Sequence, residues 1–156
     1  MARSLSKSKG RREKGTFLAI PRAVVDSPQY AELSAYGVKL LIDLHAQYRG
    51  TNNGDLSAAY KLMQPRGWRS KGTLHKALQE LRQAGWVVVS RQGGRHKCSL
   101  YALTYLAIDE CKGKGIDINP TAAPLGTWKK PTHENSCTRY ADQCTRHADQ
   151  SEVAAA

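Results

Sequence analysis

Residues 68–81 read WRSKGTLHKALQEL, and residues 84–87 follow as AGWV. Leu74, Ala77, Leu78 and Leu81 recur at the three- and four-residue spacing of one helix face. Ser70 stands where an N-cap side chain accepts a free N–H of the first turn, and Gly85 offers the left-handed conformation that stops a helix. Beyond the stop, residues 86–90 are rich in strand formers. Gln92-Gly93-Gly94 is expected to turn the chain, and residues 99–106 to return it as a second strand. The stretch predicts a capped helix that runs directly into a β-hairpin.

Upstream signals fit around that unit. Ser34 is an N-cap for a long helix over 35–48, whose Val38, Leu40, Leu41, Ile42 and Leu44 cover more than one face and mark it as a buried spine. His45 near its end is expected to be a packed side chain. Residues 50–55 (Gly-Thr-Asn-Asn-Gly-Asp) read as a turn, because Asn-Gly suits left-handed backbone. Ser57 is expected to cap a shorter helix through Ala58, Ala59, Leu62 and Met63, ended by Pro65 and Gly67, with Trp68 anchoring the turn in the core. Nearer the N-terminus, Pro21 suits the first turn of a helix through Ala23, Val24 and Val25. The order is helix, turn, short helix, tight turn, helix and two-stranded hairpin, which is an α+β fold.

The capped start, the Leu, Ala-Leu and Leu positions, and the Gly-aromatic-aliphatic step at 85–87 carry a resemblance. They look like the third helix and wing of winged helix-turn-helix proteins. The whole stretch 17–108 resembles winged-helix domains of small phage- and plasmid-type proteins, replication-associated ones included. The resemblance implies a three-helix core with a β-hairpin wing over 16–108; winged helices bind DNA and also serve as protein-docking and RNA-binding modules, so the fold alone does not settle the partner. Around it, 1–15 reads as a disordered basic arm. Residues 109–156 read as a linker and a mostly disordered tail, with Trp128 a candidate to dock back onto the domain.

Charge placement supports a polyanion partner. The formal net charge of +11 is confined to two stretches: 1–15 nets +5 and 57–100 nets +8, while 16–56 and 101–156 net −1 each. Basic residues segregated in this way are the electrostatic footprint of a nucleic-acid binder. With the leucine face of the third helix turned inward, ~100° per residue puts Arg69, Gly72, Lys76, Gln79 and Gln83 outward, flanked by Thr73, His75 and Glu80. Arg and Lys donate to guanine, Gln pairs with adenine, and Thr touches a thymine methyl or a phosphate. Gly72 would let the helix start approach the DNA backbone. The expected DNA-contacting set is Arg69, Ser70, Lys71, Gly72, Thr73, Lys76 and Gln79 on the helix, with Arg91, Arg95, His96 and Lys97 around the Gly93-Gly94 turn. An ordinary solvated helix face would mix signs, whereas Glu80 is the only acid here.

The remaining motifs are weaker. Residues 137–143 and 144–150 are a tandem repeat matching at six of seven positions, too small-sided for a coiled-coil seam. His133, Cys137, Cys144 and His147 are ligand types, but a six-residue gap between cysteines is unusual for zinc, so no metal and no cofactor are expected. Nothing approaches the ~20 apolar residues of a membrane span, and no secretory leader is evident, so a cytoplasmic protein with free thiols is expected. No P-loop, paired carboxylates or nucleophile–base set suggests an enzyme. The leading expectation is a protein that occupies duplex DNA as a transcriptional regulator or a phage or plasmid replication accessory. The alternative is an adaptor whose winged helix and tail bind protein partners. Residues 17–33 serve equally well as core packing or as a homodimer contact.

Overall fold

Two serine side chains set the two long helices. The computed structural model describes residues 17–95 and 97–129; the basic arm, His96, and the tail with its repeat and His/Cys set lie outside the described residues. In chain order the helices are α1 (Arg22–Val25), α2 (Pro28–Ala31), α3 (Ala35–His45), α4 (Tyr60–Met63), continued by a 3-10 turn (Gln64–Arg66), and α5 (Lys71–Gln83). The strands β1 (Val87–Arg91) and β2 (Leu100–Leu103) follow, then a final 3-10 turn (Thr127–Lys129). The fold is α+β. Ser34 Oγ accepts from Gly37 N at 3.0 Å and Ser70 Oγ from Thr73 N at 3.4 Å, each satisfying a first-turn donor that has no partner within its helix. Gly85, at φ +75°, ends α5 as its position suggests.

The core lies between α3, α5 and the hairpin. Leu40, Leu41 and Leu44 of α3 and Leu74, Ala77, Leu78 and Leu81 of α5 are buried together with Met63, Trp68, Trp86 and Leu103. Trp68 does anchor its turn: its indole Nε1 donates to Asp43 Oδ2 at 2.7 Å, and Lys39 and Arg66 pair with the same carboxylate. In the segment 17–33, Val24 and Ser27 are buried and Ile20, Tyr30 and Leu33 pack on the core, while Phe17, Leu18 and Val25 stay exposed.

Four expectations change. The short helix starts at Tyr60, not just after Ser57, and its cap residue Ala59 has no side-chain bond to offer. Residues 56–58 are held outside the helix by two non-local pairings. Leu56 exchanges both backbone hydrogen bonds with Tyr101, and the Gln47 amide brackets Ser57, accepting from its N and donating to its O at 3.0 Å each. The hairpin also runs past Gln92-Gly93-Gly94. Gly94 and Lys97 form its last bridge, which carries Arg95 to the tip. Ser90 bulges where the register shifts between Val89 and Arg91, and its buried hydroxyl donates to Gly54 O. The long helix is regular only to His45, though Tyr48 N still bonds His45 O.

The fourth change concerns the expected linker. Over 109–129 it lies along the domain: Asp109 Oδ2 accepts from Asn53 N, Asp117 N bonds Ser90 O, Ile108 and Thr121 bond each other, and Gly126 N bonds Thr104 O. Trp128 is buried, stacked on Trp86 with centroids 4.8 Å apart and planes at 15°. A side chain at Gly85 would bring its Cβ within 2.8 Å of Thr127 O, so this glycine is required by close approach as well as by its φ.

His45 is packed, as its position suggests, with its Nδ1 2.7 Å from the Tyr105 hydroxyl. Burial lowers the imidazole pKa from its ordinary 6.5 and raises that of the phenol. The folded protein therefore refuses a proton that the unfolded chain accepts. The associated stability is complete above the unfolded pKa and declines as pH falls below it. Thermal melts stepped from about pH 7.5 to about pH 5 should show Tm falling from about pH 6.5 downward. In His45→Gln that component should vanish, leaving only the carboxylate-driven loss at lower pH.

Candidate nucleic-acid interface

Helix α5 presents its outer side as the leucine spacing requires. Arg69 and Ser70 before it, and Lys71, Gly72, His75, Lys76, Gln79, Arg82 and Gln83 along it, are exposed, with Thr73 half-buried. Gly72 has open space: a Cβ there would meet nothing closer than Ser70 Oγ at 3.6 Å. Its lack of a side chain is not a packing requirement and leaves the helix start bare. Lys71 lies over the Tyr60 ring at 5.5 Å, and the Tyr60 hydroxyl donates to Arg69 O, so the turn before α5 is tied to α4 on the side where the cations cluster.

Glu80 does not belong to that side. Its carboxylate reaches α3, accepting from Ser34 N at 2.6 Å and Ser34 Oγ at 2.5 Å, and it would collide with any side chain at Gly37. A carboxylate at a helix N-terminus is favoured by the unpaired N–H groups and by the helix dipole. The only acid of α5 is thus committed to holding α3 against it, and the outer surface is cationic or neutral throughout. Sequence spacing located Glu80 beside the face; its partner 46 residues away had no local signal.

On the hairpin, Arg95 and Lys97 are exposed. His96 lies outside the described residues. The Arg91 guanidinium donates to Lys114 O and to Cys98 O, clasping the hairpin to the following loop. Gly93 is needed here, since a Cβ would sit 2.5 Å from Ser99 N. Arg82 is a gain. Its ~60° offset from Gln79 was open to the same helical arithmetic, but its proximity to the Leu78 side obscured it.

Among the described residues no group of three His, Cys, Asp or Glu side chains is arranged to hold a metal ion. No described helix is long and apolar enough to cross a membrane. Cys98 and Cys111 are free thiols, the latter with its pKa raised by partial burial and by Asp55 and Asp109. Comparison with protein-family models, curated proteins and solved structures finds no match to the chain.

Proposed function

We propose that residues 17–129 are a winged helix-turn-helix that binds duplex DNA, with α5 in the major groove and the hairpin tip on neighbouring phosphates or in the adjacent minor groove. The observation that carries this reading is the division of charge on α5. Its outer side bears Lys71, His75, Lys76 and Arg82 with the amides of Gln79 and Gln83, while Glu80 is bound to the N-terminus of α3.

The topology supports the winged-helix assignment. Between α3 and α4 the chain makes a strand-like pairing, Leu56 with Tyr101, on the edge of β2 away from β1, so the order across the sheet is Leu56, β2, β1. Helices α3, α4 and α5 then form the three-helix layer. The side chains divide by role. Lys76 and Gln79, near the middle of the outer face, suit base edges; Arg69, Ser70, Lys71, Thr73, Arg95 and Lys97 suit phosphates. The biological role that follows is site occupancy, as a regulator of transcription or a replication accessory.

Salt dependence tests the reading. Binding of labelled duplex DNA should be measurable at low salt and fall linearly in log K against log salt, with a slope of about −0.9 per phosphate neutralised. No binding at low salt, or a flat dependence, would remove DNA as the partner and leave the adaptor.

A further inference from the structure

Between the C-terminal half of α5 and β1 runs an open groove lined by Gln79, Arg82, Gln83 and the three valines of residues 87–89. Its walls are α5, assigned above to the major groove, and the strand that leads to the hairpin tip. Val88 and Val89 are half-buried on its floor, Arg82 is exposed on its rim, and no acid lines it, because Glu80 is held by Ser34. Among the described residues Arg82 makes no ion pair, and no described residue accepts a hydrogen bond from its guanidinium.

We propose that this groove seats the sugar-phosphate strand that passes between the major groove holding α5 and the site of the hairpin tip, with Arg82 as its phosphate ligand. The inference rests on the DNA reading above and deepens it. A nucleic-acid strand is amphipathic: its phosphates are anionic, while the carbon faces of its sugars are apolar. The groove offers the complement, a planar guanidinium fork that matches two phosphate oxygens, the neutral amide of Gln83 beside it, and a valine floor for the sugar. Arg82 thereby fixes the register of the protein on the duplex and reads no base.

The test compares Arg82→Gln with Arg49→Gln, which removes the same charge from the exposed loop after α3. Both are titrated against two unrelated duplexes across a range of salt, with Arg82→Lys as the variant that keeps the charge. Arg82→Gln should flatten the salt slope by about 0.9 and lower affinity by a similar factor on both duplexes. Arg49→Gln should leave the slope unchanged, and Arg82→Lys should restore it. On a duplex with single neutral methylphosphonates, one backbone position should weaken the wild type but not Arg82→Gln. An unchanged slope in Arg82→Gln, or an equal change in Arg49→Gln, overturns the groove assignment while wild-type binding keeps the DNA reading intact. Failure of the wild type to bind at the lowest salt overturns both.

Discussion

Asn53→Ala should abolish the cooperative unfolding transition or cost about 3 kcal/mol or more. Asn53 is fully buried. Its Nδ2 donates to Leu103 O at 2.9 Å, Ala107 O at 2.8 Å and Leu106 O at 3.3 Å, and its Oδ1 accepts from Leu103 N at 2.8 Å. The side-chain amide thus pairs with both polar groups of Leu103, just as the Leu56 backbone pairs with Tyr101 two residues earlier. It stands in for a strand residue along the free edge of β2 and also gathers the carbonyls of the chain leaving the sheet. Alanine would remove a hydrogen-bond partner from four backbone groups, two of them on the buried Leu103. Each unsatisfied group costs about 1–3 kcal/mol, against a total of about 5–15 kcal/mol for a domain. Asn53→Asp should be no better, since a carboxylate would face three carbonyl oxygens. Urea denaturation followed by far-UV circular dichroism reads the outcome. A loss below about 1 kcal/mol for Asn53→Ala would show that water enters and replaces the amide.

That residue marks the boundary between what was legible in the sequence and what was not. Helix α5 was legible at both ends and along its inner face, because capping and leucine periodicity are local properties. The turn anchored by Trp68 and the inward packing of His45 followed from position. Asn53 itself reads only as a turn residue: nothing adjacent reports that its amide closes on Leu103, 50 positions away. The late start of α4 has the same origin, since Gln47 and Tyr101 act on 56–58 from outside the segment. The folded stretch 109–129 looked like a linker because few apolar residues recur in it, and Trp128 alone hinted that it docks. Among the expected contact residues on α5, Lys71, Gly72, Lys76 and Gln79 are exposed by helical geometry and Thr73 is half-buried. Arg91 binds the carbonyls of Cys98 and Lys114, a contact that a linear reading of a basic hairpin does not reveal.

The second large effect concerns binding. Lys76→Ala combined with Arg95→Ala should lower affinity for duplex DNA about a hundredfold or more at low salt, equivalent to about 2.7 kcal/mol, while leaving the fold unchanged. Both side chains are exposed and neither makes an ion pair among the described residues, so truncation removes no described internal contact. The two substitutions should act differently. Lys76 lies in the middle of the α5 face, where under the proposed binding mode a lysine would donate to guanine edges; its loss should cost about 1–3 kcal/mol and relax sequence preference at one position. Arg95 sits at the hairpin tip, where its loss should weaken all sequences alike and flatten the salt slope by about one. Sequence selection from a random duplex pool separates the two, because only Lys76→Ala should change the enriched motif. The Glu80 clamp adds a control. Glu80→Gln keeps the side-chain shape but weakens the hold on Ser34, so it should lower Tm and reduce affinity only as far as α5 loses its seat on α3. If Lys76→Ala and Arg95→Ala, singly and together, leave both affinity and motif unchanged, the cationic side of α5 and the hairpin tip are an ordinary solvated surface, and duplex DNA is not what this face binds.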